Sequence, residues 1–149
     1  MIQRIQTLWL LLATLLVGTM FFFPLAEIID FSNDYIIEIS KVGQYPYESV
    51  EMVLYIVIGL IAVSVLLIFL NIFLYKRRPI QMRICVYTAI LMLGILGAEA
   101  YLFLWVFGEF SILPGLAAFS PVLGFILLLM ARRAIKLDDL LVKSINRLR

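Results

Sequence analysis

The chain contains no histidine, a single cysteine and few charges: 15% of its 149 residues are Asp, Glu, Lys or Arg. Each shortage excludes something. Without histidine there is no Ser-His-Asp or Cys-His machinery and no imidazole metal site. One cysteine, Cys85, permits no internal disulfide and no thiolate cluster for a metal. A soluble domain carries about 25% charged and about 45–50% apolar residues. Here 64% are hydrophobic, and the mean hydropathy is +1.10. No phosphate-binding loop, GxSxG turn or acid cluster with metal spacing occurs, so no catalytic residue, metal or cofactor is assigned.

What is present is a set of long uncharged runs. None of residues 5–26, 52–75 and 110–131 is Asp, Glu, Lys or Arg, and among residues 84–108 only Glu99 is. A helix needs about 20 apolar residues to cross a hydrocarbon core of about 30 Å. Inside that core the backbone must satisfy its own hydrogen bonds, which a helix does. The reading is all-α, an integral membrane four-helix bundle with helices at about 5–26, 52–75, 84–107 and 114–131. The first apolar run is too long for a signal-peptide core and lacks an A-x-A cleavage pattern, so it reads as a retained anchor. Residues 1–131 form the transmembrane domain and 132–149 a basic tail.

The basic residues set the orientation. Arg4, the Lys76–Arg83 group and the six Lys and Arg from Arg132 to Arg149 fall on one side of this layout, and Lys41 alone falls on the other. The positive-inside rule places both termini in the cytoplasm. The pI near 8.8 then reflects topology and contact with anionic headgroups rather than nucleic acid, for which no recognition motif exists.

The outer loop 27–51 includes Asp34–Lys41, β-branched and partly alternating, with turn residues on both sides. Ile28–Phe31 could pair with it as a short hairpin. Pro79 is expected to stop the second helix. In the tail, Leu137, Leu140, Leu141, Ile145 and Leu148 share one helical face, while Arg132, Lys136, Asp139, Lys143 and Arg147 share the other. With Arg133, these cations suit a helix lying on a membrane surface.

Glu99 is the one charge that topology leaves unexplained. It lies about fifteen residues into the third span, roughly 22 Å along it. An intramembrane acid costs about 2.5–3.5 kcal/mol on insertion scales, so it should face inward, protonated or hydrogen-bonded. Polar residues at comparable depth are Thr19, Tyr55, Ser64 and Ser120. Gly94 and Gly97 lie with Tyr87 and Tyr101 on the face opposite Glu99. Together with Gly18 and Gly124, these glycines suit close helix packing. Small or polar stripes on the other helices (Thr7, Thr14 and Gly18; Ser64 and Asn71; Ser120, Gly124 and Ala131) suit inward faces. Pro114 fits the first turn of the fourth helix, and Pro121 would kink it.

Three segments carry a family resemblance: Met1-Ile2-Gln3-Arg4-Ile5-Gln6-Thr7-Leu8, Phe73-Leu74-Tyr75-Lys76-Arg77-Arg78-Pro79-Ile80-Gln81, and the basic end through Leu148-Arg149. Over its whole length the chain resembles small bacterial inner-membrane proteins defined only as a four-helix domain of unknown function. The resemblance implies that topology and location, and no activity. Two functions fit: a non-enzymatic accessory or assembly subunit of a larger membrane complex, or a small oligomeric proton- or ion-coupled transporter using Glu99. A membrane enzyme fits least, since acids alone would have to do its chemistry. The oligomeric state is open.

Overall fold

The computed structural model describes residues 2–29, 34–37, 48–75, 77–106 and 111–147. Four helices dominate: α1 (Ile2–Gly18), α2 (Glu48–Phe73), α3 (Arg78–Tyr101) and α4 (Ser120–Arg147). Short strands β1 (Ala26–Ile29), β2 (Asp34–Ile37) and β3 (Ser111–Pro114) form one antiparallel sheet, ordered β2-β1-β3. Ala26 pairs with Ile37 on one side and with Pro114 on the other. The sequence reading contained no counterpart of β3, a four-residue stretch too short to show a period. The residues joining β1 to β2, and Glu38–Tyr47, lie outside the described residues.

The helices pack in sequence around a ring, α1 on α2, α2 on α3, α3 on α4, and α4 back on α1. The buried positions explain this. In α1 they are Gln6, Leu10, Ala13 and Val17, followed by Met20 in the 3-10 turn Thr19–Phe21. In α2 they are Leu54, Val57, Ile61, Ser64, Ile68 and Asn71. In α3 they include Gln81, Cys85, Thr88, Met92, Ile95 and Glu99, and in α4 Gly124, Leu128, Ala131, Ile135 and Asp138. Each set alternates steps of three and four, the heptad seam that lets neighbouring helices interdigitate along their length.

Three helical stretches are long and apolar enough to cross a membrane: Glu51–Phe73, Arg78–Val106 and Leu116–Ser144. The apolar part of α1, Ile5–Phe21, is shorter. Four spans were expected, the first over 5–26. Pro24 follows the 3-10 turn, and the chain enters β1 at Ala26, inside the range expected to be helical.

The other boundaries also shift. Pro79 does not end α2. It occupies the first turn of α3, where its missing N–H costs nothing, so α3 starts six residues before the expected position. Pro114 ends β3 rather than opening α4. Pro121 sits in the first turn of α4 and produces no kink. The expected free carbonyl at residue 117 accepts the Ser120 hydroxyl at 2.6 Å. Finally, α4 runs unbroken through residue 131, so the basic tail is the second half of one 28-residue helix.

Candidate functional site

The seam of this ring is unusual in chemistry. Its buried polar residues are Gln6, Ser64, Asn71, Gln81, Thr88, Glu99, Ser120 and Asp138. The opposite faces are apolar and exposed, as at Leu15, Leu66, Ile90 and Leu93. An apolar exterior around a mostly apolar core that also holds polar side chains suits a hydrocarbon solvent, where interhelical polar contacts and close backbones hold helices together.

At one end the seam forms a clamp. Asn71 Nδ2 donates to the Gln81 carbonyl oxygen at 3.3 Å and to Cys85 Sγ at 3.2 Å, while Gln81 Nε2 donates back to the Asn71 carbonyl oxygen at 3.2 Å. These reciprocal bonds fasten the last turn of α2 to the first two turns of α3, and the Asn71 carbonyl oxygen also accepts the Leu74 N–H at 3.2 Å. Beside the clamp, Arg78 Nε lies 2.8 Å from Asp138 Oδ2, tying the start of α3 to α4. The contact is an ion pair rather than an aligned hydrogen bond. Ile5 lines a groove with Ala134, Leu137 and Leu141, so α1 begins at this same end. Gln6 is fully buried there, and neither of its amide atoms has a hydrogen-bond partner.

Glu99 lies at the other end. It is 3% exposed, and its Oε1 has no hydrogen-bond partner. Because α3 starts at Arg78, Glu99 is about 31 Å from that start, and the apolar span continues beyond it to Val106. The π-helical turn Leu102–Val106 follows within one turn, and the Leu102 N–H is shared between the Ala98 and Glu99 carbonyl oxygens. Such wide turns recur at functional positions.

Among the described residues, no hydrogen bond joins Glu99 to the polar residues grouped with it from the sequence. Leu60 of α2 faces Gly94, and Asn71 faces Gln81 and Cys85. This register puts buried Ser64 level with about residue 90, about 13 Å along the axis from Glu99. Ser120 is buried with its hydroxyl on Ala117, the Thr19 hydroxyl is held by the Leu16 carbonyl oxygen at 2.6 Å, and Tyr55 is exposed. Among the described residues, no group of three or more His, Cys, Asp or Glu could hold a metal ion.

The glycines divide into two kinds. At Gly124 a Cβ would stand 2.9 Å from Val17 Cγ2 and 3.4 Å from Met92 Sδ, so α1, α3 and α4 meet there. Gly94 and Gly97 are exposed, and at Gly97 and Gly18 a Cβ would meet nothing within 4 Å. The α3 face opposite Glu99 therefore points out of the ring. In α1 the buried positions are Gln6, Leu10, Ala13 and Val17. Thr7, Thr14 and Gly18, each one residue on, are only half-buried, so this helix is turned by about 100° from the expected face. Of the α4 cations, Arg132, Arg133, Lys136 and Lys143 are exposed, and Lys143 Nζ pairs with Asp139 Oδ2 at 2.6 Å. Arg147 is the last residue of α4, and its side chain lies outside the described residues.

The sequence reading missed the buried roles of Gln6, Gln81 and Asp138 because charge-flanked positions look like loop or tail. Heptad spacing was the available signal: Gln6 to Ala13 to Met20, Gln81 to Thr88 to Ile95, and Gly124 to Ala131 to Asp138 each step by seven. No curated protein and no solved structure matches the chain. Residues 2–148, nearly the whole chain, match one family defined without a known activity, and the protein belongs to that family, the domain of unknown function DUF4293.

Proposed function

We propose that this protein is a non-enzymatic integral membrane protein of the bacterial inner membrane, a four-helix bundle with both termini cytoplasmic, acting as an accessory or assembly subunit of a larger membrane complex. The observation that supports this reading is the outward face of α3. Tyr87 and Tyr101 are 60% and 48% exposed, and Gly94 and Gly97 lie between them on the same surface. A helix surface with glycines lets a second helix approach closely, and the flanking tyrosines offer large contact area. The chain's own packing buries the opposite face, and Leu60 of α2 reaches this one at Gly94.

Affinity purification in a mild detergent, followed by mass spectrometry, tests the proposal. Specific membrane proteins should co-purify with the wild-type chain and be lost with Gly97→Leu, which adds bulk where nothing within the chain is displaced. Recovery of the bare protein, under conditions that keep other membrane complexes intact, would refute the subunit role.

A second reading rests on Glu99: a buried acid with an unpartnered oxygen beside a π turn suits proton or ion coupling in an oligomer. Glu99→Gln keeps the shape and removes the titration. If that variant fully restores a deletion strain, coupling through Glu99 is eliminated.

A further inference from the structure

A groove of about 570 Å³ lies between the N-terminal half of α3 and the C-terminal half of α4. Arg83 from α3 and Arg132 and Lys136 from α4 line it, with the Asp139–Lys143 pair at one edge. Its apolar lining comes from Met82, Val86, Tyr87 and Leu140. These residues recur at helical spacing, so each helix presents one continuous face to the groove.

The charges are unbalanced. Among the described residues, Asp139 is the one acid lining the groove, and its carboxylate is already bonded to Lys143. Arg83, Arg132 and Lys136 have no carboxylate partner among the described residues. Cations converging on one concavity repel one another unless an anion sits between them. Two guanidinium groups also offer the paired N–H donors that match phosphate oxygens.

The surroundings identify the kind of anion. Along the same faces, toward the middle of the helices, the surface becomes exposed Ile90 on α3 and Leu129 on α4. A ligand here meets cations at one end and hydrocarbon at the other. We propose that this groove binds an anionic phospholipid, with the phosphodiester headgroup held by Arg83, Arg132 and Lys136 and the acyl chains along Ile90 and Leu129. A basic pocket between helices at the membrane surface is where such headgroups dock. The proposal needs the chain to be membrane-embedded and does not depend on any protein partner.

The test uses the purified full chain in an uncharged detergent, titrated with phosphatidylglycerol, phosphatidylcholine or inorganic phosphate. Thermal unfolding and lipid retention in native mass spectrometry are the readouts. Phosphatidylglycerol should be retained and should raise the unfolding midpoint, whereas phosphatidylcholine should do neither. Arg83→Gln/Arg132→Gln should weaken the apparent affinity by about tenfold or more. Arg77→Gln/Arg133→Gln removes the same charge from exposed positions outside the groove, and should change it by less than about threefold. Equal weakening in both pairs means diffuse attraction and overturns the site. Equal protection by inorganic phosphate overturns the lipid assignment. Should the groove pair fail to fold, Lys136→Gln and Arg83→Lys/Arg132→Lys decide: the first must weaken retention and the second must preserve it. Release of the protein from membranes by alkaline carbonate would be a separate failure, that of the membrane reading.

Discussion

Gly115 stands where the chain doubles back on itself. Its N–H donates to the Leu25 carbonyl oxygen at 2.9 Å, and a Cβ there would lie 2.2 Å from the Pro24 carbonyl oxygen. Backbone cannot yield as a side chain can, so Gly115→Ala should cost about 1–3 kcal/mol in thermal unfolding in detergent. Gly97→Ala, where the added methyl meets nothing, should stay within about 0.5 kcal/mol. Gln6 makes the opposite case. Its amide is fully buried with both polar atoms unpartnered, so Gln6→Met should stabilise the protein by about 1 kcal/mol. A lower unfolding midpoint for Gln6→Met would show that the amide is bonded to internal water. At this scale the sequence reading recognised Glu99, Ser64 and Ser120 as inward because polar residues stand out in apolar runs. It had no such contrast near Gln6 or Gln81, where charged neighbours make an amide look ordinary.

Among the elements, α4 departs most from the simple layout. Asp138 looked like part of a solvated tail, yet it is 7% exposed and pairs with Arg78 across the interface with α3. Asp138→Ala should cost about 1–3 kcal/mol, because it leaves the largely buried Arg78 guanidinium without its partner. Arg78→Gln should cost less when Asp138 is already absent, and that non-additivity in a double-mutant cycle would establish the pair. Additive effects would refute the coupling. The boundaries of α3 and α4 were illegible for a physical reason: a proline ends one helix or opens the next with equal ease, and only the packing of the following residues decides. At Pro79 the following seam residues Gln81, Cys85 and Thr88 are buried, which draws the helix start back to Arg78.

For the whole molecule, three helices are long and apolar enough to cross a membrane, and their exposed faces suit a lipid or detergent surround. The protein should stay with membranes after alkaline carbonate washing, and reporter fusions at its two termini should report the same, cytoplasmic side. A periplasmic signal from either terminus would overturn the proposed orientation. All four helices expose large hydrophobic residues, such as Leu15, Leu66, Ile90 and Leu129, whereas soluble monomers rarely expose contiguous apolar patches above a few hundred Å².

The sequence by itself determined the count of helices and their apolar character, because uncharged runs of about 20 residues have one stable form in hydrocarbon. It also singled out Glu99, since any acid in such a run is costly. Tertiary structure decided which face of each apolar helix turns inward. When all sides are apolar, hydropathy carries no direction, and small and polar side chains meeting at heptad spacing supply it. Tertiary structure also brought Arg83 on α3 and Arg132 and Lys136 on α4 to one groove. Their positions in the chain are set by charge bias at a membrane surface, whereas their convergence comes from the antiparallel packing of two helices.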